Sequence, residues 1–203
     1  LSSTFTIEEL NSGLIYRLFS GAIAPRPIAW VSTISAAGIA NLAPFSFFNV
    51  ASVDPPVLAF SPLLNAEGVA KHTLSNLKEV GECIIHIGGE SLVSPLNDSS
   101  ASLPAEADEF EHAGLTKASL GDLRVPRVLE APIAFGCKLH DIVHFGNRPM
   151  AGNLVLAEVV VIHAEPKIWD GRYVNNDTLR PVGRMAGSDY ARTTDLFALK
   201  RPG

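Results

Sequence analysis

Two cysteines, two methionines and two tryptophans are all that this 203-residue chain holds of those types, and only 18% of it is charged. Cys83 and Cys137 stand alone in apolar runs without CxxC spacing, so they read as buried free thiols rather than as a disulfide or a metal clip. No apolar run approaches the ~20 residues of a membrane-spanning helix. The opening LSSTFTIEELNSG lacks the basic and apolar regions of a signal peptide, and the cytoplasm is the expected location. The sequons at Asn97 and Asn176 then read as chance matches. There is no G-x-G-x-x-G opening a βαβ unit, no Walker A sequence and no G-x-S-x-G elbow, so a Rossmann site, a P-loop and a hydrolase nucleophile are not indicated. A net charge of −5 gives no electrostatic reason to expect nucleic acid or an anionic membrane as partner. The low charged fraction points instead to surface buried against a partner subunit.

What is present is a 47% apolar chain, long enough for one domain with a full core. Its organising stretch is Pro25 to Thr73. Three β-rich runs, Ile28 to Ile34, Phe45 to Val50 and Val57 to Phe60, are separated by a turn at Ala36-Ala37-Gly38 and a break at Asp54-Pro55-Pro56. Small polar residues (Ser32, Thr33, Asn41, Ser46 and Asn49) are threaded through them, as where strands face a ligand. Helical spacing predicts a helix over Ile7 to Phe19, ended by Gly21, and another over Glu67 to Val80, stopped by Gly81. Thr73 is well typed as an N-cap. Cys83 to Ile87 reads as a strand, Gly88 to Pro104 as a surface loop or short helix, and Glu106 to His112 as a solvated helical turn.

Farther on, Ile133, Phe135, Cys137, Leu139, Val143 and Phe145 follow a period of two, with one apolar face and one mixed face. Leu154 to Ile162 is apolar on both faces, as a central strand would be. The Gly146 to Gly152 loop joins the two as a hairpin. His140 and His144 would share a metal only on a helix; on a strand they stand about 13 Å apart. Strand-type neighbours favour the second reading, and no metal site is expected. The basic tail beyond Trp169 either wraps a neighbouring subunit or is a solvated end.

Pro25-Arg26-Pro27-Ile28-Ala29, Asn41-Leu42-Ala43-Pro44-Phe45-Ser46, Asp54-Pro55-Pro56, Lys71-His72-Thr73, Ala157-Glu158-Val159 and Pro181-Val182-Gly183-Arg184 through Tyr190 together resemble the flavin reductase-like family. The resemblance runs from Tyr16 to Arg192. Members more often have an acidic residue where this chain has His72, and Gly where it has Ala157. The resemblance implies a mostly β single domain over residues 1–203, a split β-barrel with peripheral helices, binding FMN. It implies a phosphate end built from Arg26, Ser32, Thr33, Lys71, His72 and Thr73, using a helix N-terminus, hydroxyls and cations. For the flavin ring it implies Asn41, the backbone of Leu42 and Ala43, then Ser46 and Phe47, and the Arg184 to Tyr190 segment is expected to reach the partner subunit's site with Tyr190 against the flavin.

The implied activity is reduction of flavin by NADH or NADPH, which needs positioning rather than a catalytic side chain. A homodimer with the flavin near its interface is expected, with an oxygenase or a redox protein as a further partner. Two alternatives stand beside this: a flavoredoxin-like electron carrier serving a protein partner, and a flavin-binding scaffold without catalysis.

Overall fold

In the computed structural model, which describes residues 4–202, the chain begins with a 3-10 turn at Ile7–Glu9 and helix α1, Ser12–Ala22. Asn11 starts α1 by accepting the Leu14 amide at 2.9 Å. The helix therefore begins later than the apolar spacing predicts. It also runs through Gly21, where an added Cβ would meet nothing within 4 Å. Pro25 is what forbids further helix, because the residue before a proline is driven out of the α region.

Four strands follow: β1 (Ala29–Ile34), β2 (Ala40–Phe45), β3 (Phe48–Val53) and β4 (Pro56–Phe60). Helix α2 spans His72–Val80 and β5 spans Glu82–Ile87. Two short helices, α3 (Val93–Asp98) and α4 (Glu109–His112), and the two-residue strands β6 (Lys117–Ala118) and β7 (Arg127–Val128) lead to the long hairpin of β8 (Ile133–His144) and β9 (Asn153–Ala164). The tail holds α5 (Asn176–Leu179), β10 (Val182–Arg184) and β11 (Tyr190–Arg192).

The main sheet is seven-stranded and antiparallel, in the order β2-β1-β5-β8-β9-β4-β3. Its edges, β2 and β3, are consecutive in the chain and joined only by Ser46 and Phe47. Laid flat, they would stand about 29 Å apart, whereas that link reaches about 11 Å. The sheet must therefore roll up until its edges meet, and the Ser61 amide bonds the Phe47 carbonyl at 2.8 Å across that corner. The result is a mostly β split barrel with peripheral helices.

Alternation on β1 divides the core. Ala29 and Val31 face the barrel interior with Phe45, Phe60, Cys83, Ile85, Cys137 and Val155, closed at one end by Leu74 and Leu77 of α2. Trp30 faces outward into a second cluster with Leu42, Leu96 and Phe110. Cys83 and Cys137 are cross-strand partners, both buried and free. Hydrogen bonding to Cys137, together with burial, pushes the Cys83 thiol well above its usual pKa.

Several elements differ from their sequence patterns. Helix α2 starts at His72, because residues 65–69 form a turn in which Asn65 Oδ1 accepts the amides of Glu67 and Val69. Its N-cap is Lys71, and Thr73 lies inside the first turn. Gly81, at φ 75°, ends it as expected. The 106–112 segment is not a solvated turn: Glu109 and Phe110 of α4 are buried. On β8 a register shift between Leu139 and Asp141 moves Ile142 onto the core side and leaves Val143 and Phe145 exposed. His140 and His144 lie on this strand, as the flanking residues predicted.

The fully buried His86 of β5 ties three layers together. Its Nε2 accepts the Val128 amide at 3.0 Å, so Nδ1 carries the proton and donates to the Trp30 carbonyl at 2.8 Å. Trp30 in turn donates to Ser99 at 2.9 Å. Burial lowers the His86 pKa from 6.5 to about 4; the Trp30 bond opposes this shift and the Arg127 charge adds to it. The unfolded chain therefore takes up this proton first. The stability from neutral His86 is complete above about pH 6.5 and is lost as the pH falls toward 4. The full shift corresponds to about 3 kcal/mol. In urea titrations at pH 7.5 and 4.5, the wild type should lose about 2–3 kcal/mol more than His86→Gln. Equal losses would show that another group governs the acid limb.

Candidate functional site

As an edge strand, β2 leaves one side of its backbone without a strand partner. Helix α4 covers part of it, where the buried Glu109 carboxylate accepts the Leu42 amide at 3.2 Å. Beyond that cover lies a groove of three cavities, about 280, 180 and 160 Å³. They share walls. Pro44 lines all three, Ser100 joins the first to the second, Lys71 joins the first to the third, and Tyr16 and Ser46 join the second to the third. Taken together they fall in the size range of small-molecule clefts, about 300–1,000 Å³.

The largest chamber is bounded by Asn41 and Ala43 of β2, by Lys71, His72 and Thr73 at the start of α2, and by Ser99, Ser100 and Ser102 beyond α3. The first amides of α2 have no carbonyl within the helix to bond, and its dipole favours an anion there. Lys71 adds a cation, 5.5 Å from the centre of the Phe45 ring. Burial pulls its pKa below the usual lysine value, and a neighbouring anion would reverse that shift. Asn41 Oδ1 accepts Thr73 Oγ1 at 2.8 Å and Thr33 Oγ1 at 3.3 Å. With its oxygen held by two hydroxyls, the Asn41 amide nitrogen is left as a donor at the chamber wall. The second chamber is framed by Tyr16, Ser46, Asn97, Arg184 and Tyr190, and the third by Tyr16, Phe47, Ser61, Leu63 and Lys71. Tyr16 and Phe47 pack at 6.2 Å between ring centres.

Of the residues singled out in the sequence, Asn41, Ala43, Ser46, Phe47, Lys71, His72, Thr73 and Tyr190 therefore line one continuous groove. Four others do not. Arg26 is buried, and its guanidinium donates to Ser46 Oγ (3.2 Å) and to the carbonyls of Ser20, Ile23 (3.0 Å) and Met185 (3.0 Å). It is a structural tie, not a free fork for a phosphate. Ser32 donates to the Pro126 carbonyl at 2.7 Å, and Thr33 accepts from Asn76 at 3.1 Å; both are fully buried. The Leu42 amide is taken by Glu109 and its side chain is core. The hydroxyl of Thr73 faces Asn41, so it orders the wall rather than capping α2.

Sequence reading passed over Glu109, Asn97, Ser100 and Tyr16 as site residues. Arg184 stands in the family-type motif that runs on to Tyr190, but without a role of its own in the site. Glu109 gave an acidic, solvent-type signal, and Asn97 read as a chance sequon. The serine-rich run after α3 was the one clue to that wall. For Arg184 the clue was Gly183 beside it. A Cβ at Gly183 would stand 2.5 Å from Pro25 Cβ, so only glycine lets β10 close on the Pro25-Arg26 corner.

With the geometry in hand, three comparisons agree. Over 202 residues the chain is 37% identical to the protein YwrF of Bacillus subtilis (strain 168), covering 98% of each. Nitrilotriacetate monooxygenase component B from Bacillus cereus superposes with a TM-score of 0.93 at 33% identity, covering 98% of this chain and 99% of that one. The 2-nitrobenzoate 2-nitroreductase NbaA of Pseudomonas fluorescens superposes with a TM-score of 0.87 at 28% identity, covering 98% and 96%. The model of the flavin reductase like domain matches residues 21–177. A split barrel with an open groove along its β2 edge, matched over most of its length in this way, belongs to the flavin reductase-like family of flavin-related oxidoreductases.

Proposed function

We propose that residues 1–203 act as one domain that binds FMN in the β2-edge groove and reduces it with NADH or NADPH in the cytoplasm, supplying reduced flavin to an oxygenase or redox protein. The observation that carries this reading is the continuity of the groove. A cationic, amide-rich end at Lys71, His72 and Thr73 adjoins, through the shared walls of Lys71 and Pro44, the third chamber with Tyr16, Phe45, Ser46 and Phe47. A phosphate suits the first end, where helix amides and an ammonium converge. A planar ring suits the third chamber, where Ser46 supplies a polar group and Pro44 leaves room beside the rings, with Asn41 and Ala43 lining the first chamber next to it. FMN, when bound, supplies the hydride-accepting chemistry; the chain binds, orients and partly shields it. The name of the B. cereus structure, a monooxygenase component, supports the oxygenase as the destination of reduced flavin.

Lys71→Ala should weaken FMN by about ten- to a hundred-fold, the loss of one charge-assisted contact. It should leave riboflavin, which has no phosphate, nearly unchanged. Equal losses for both ligands in fluorescence titrations would move the phosphate elsewhere. The activity itself is tested by mixing the FMN-loaded protein with NADH or NADPH without oxygen. Rapid bleaching of the flavin band is expected, with many turnovers once free FMN is added. Slow bleaching by both nucleotides, with FMN demonstrably bound, would leave the electron-carrier reading in its place.

A homodimer completes the proposal. Ser20 is the one residue of α1 that the described fold buries, while Leu18, Phe19 and Ile23 are 55%, 48% and 63% exposed. An apolar helix surface of this kind favours a partner, and a second copy is the simplest one. Light scattering at micromolar concentration should give twice the 21.6 kDa chain mass, and Leu18→Glu should shift it toward the monomer. A monomeric wild type that still holds FMN would end the dimer reading.

A further inference from the structure

Arg184 carries a charge that the fold leaves unanswered. Its backbone is fixed by reciprocal bonds with Arg26, N–H to O at 2.8 and 3.0 Å. Its guanidinium lies 4.5 Å over the Tyr190 ring, and Nη2 donates to the Gly187 carbonyl. Nη1 is buried and has no hydrogen-bond partner among the described residues, the one side-chain atom there of which this holds. Arg26 stands close enough for each charge to oppose the other, and its pKa is lowered by burial and by Arg184, against an opposing contribution from Tyr16.

Neither guanidinium has a carboxylate within ion-pair distance among the described residues. In a chain of net charge −5 that is a conspicuous omission. Two guanidiniums without a carboxylate partner are costly side by side, and one oxyanion in the chamber that Arg184 lines would answer that charge.

The space beside Arg184 is suited to that role. It is the 180 Å³ chamber, walled by the rings of Tyr16 and Tyr190 and by Ile28, Pro44 and Leu96. Ser46, Asn97 and Ser100 supply polar atoms around it. Arg26 donates to the Ser46 oxygen, so the Ser46 hydroxyl proton is free to point elsewhere. Lys71 does not line this chamber, so its cation and that of Arg184 serve different parts of the groove. Aromatic walls with one guanidinium and a few hydroxyl and amide groups select a small planar frame carrying an oxyanion, and an arginine fork matches a carboxylate in particular.

We propose that the Arg184 chamber is a subsite for a small organic carboxylate, a second substrate held beside the flavin. The proposal rests on the groove being the flavin site, and the two can fail separately. Calorimetric titration with sodium benzoate, on FMN-loaded and on FMN-free protein, should show saturable binding. Arg184→Gln should weaken it about ten- to a hundred-fold, and Arg184→Lys should restore part of that loss. The ratio of FMN to riboflavin affinity should be the same in wild type and Arg184→Gln.

Four results would overturn the proposal: no saturable benzoate binding to either form of the wild type; unchanged binding by Arg184→Gln; tighter binding of inorganic phosphate than of benzoate by the FMN-loaded protein, whose Lys71 end is occupied; or a selective loss of FMN over riboflavin in Arg184→Gln, which would give Arg184 to the phosphate of FMN. A wild type that binds no FMN would instead end the flavin reading, while the FMN-free titration would still decide the role of Arg184. Should circular dichroism show Arg184→Gln unfolded, Asn97→Ala and Ser100→Ala take its place. Each should weaken benzoate several-fold, and unchanged binding in both would equally overturn the subsite.

Discussion

The buried guanidinium of Arg26 holds together the parts of this molecule that the main sheet does not. Its bonds reach the last turn of α1 through Ser20 and Ile23, the β2–β3 corner through Ser46, and the end of the tail hairpin through Met185. A charge taken this far from water is tolerable only when its donors are met, and here backbone carbonyls and one hydroxyl meet them. The same bonds use up carbonyls at the end of α1 that have no partner within the helix. Because β10 pairs with Arg26 along the backbone as well, Arg26 helps register the tail that carries Arg184 and Tyr190, together with the Gly89–Pro181 bridge and the ion pairs of Glu90 with Arg180 and Arg192. Two walls of the groove therefore depend on a side chain that does not line it.

The barrel itself was largely legible. Most of the short β-branched and aromatic runs, the proline and glycine punctuation and the long hairpin correspond to observed strands, because those signals act locally; the Phe45 to Val50 run instead spans the corner at Ser46 and Phe47 between β2 and β3. The division of polar residues between ligand and protein was not legible. Ser32, Thr33 and Arg26 are the residue types that a phosphate needs, yet their partners are Pro126, Asn41, Asn76 and Met185, many of them far away in sequence. Nothing near Ser32 announces that the 117–131 segment will cross over it. The same limit explains Glu109, which reads as a solvated acid until the unpaired edge of β2 is known to lie against it. On β8 the pattern failed for a different reason: a bulge shifts the alternation after Leu139, and no residue type there marks it.

An unpaired edge strand is ordinarily a hazard, because its free amides and carbonyls invite another strand. This fold covers the β2 edge unevenly. Glu109 closes it at Leu42, the start of α2 flanks it at Asn41, and the stretch from Ala43 to Ser46 remains open as the groove. Proline at position 44 has no amide to offer an invading strand, and it is also the residue common to all three chambers. The protection of the edge and the floor of the site are thus one feature. Substitutions here would bear on aggregation and on ligand binding together.

Tyr16 connects the groove to the outer surface. It projects from α1 to line two chambers and pack against Phe47, while Leu18 and Phe19 on the same helix, and Ile23 just past its end, face solvent. A helix with so little of its own surface buried has little to hold it to the barrel except the bonds of Arg26 at its end and the packing of Tyr16 on Phe47. Whatever covers the apolar side of α1 must therefore also fix the position of Tyr16, and with it the width of the groove between Tyr16 and Tyr190. In the proposed homodimer, assembly and ligand affinity would be coupled through that one ring, since a partner that orders α1 removes part of the conformational cost that a ligand would otherwise bear.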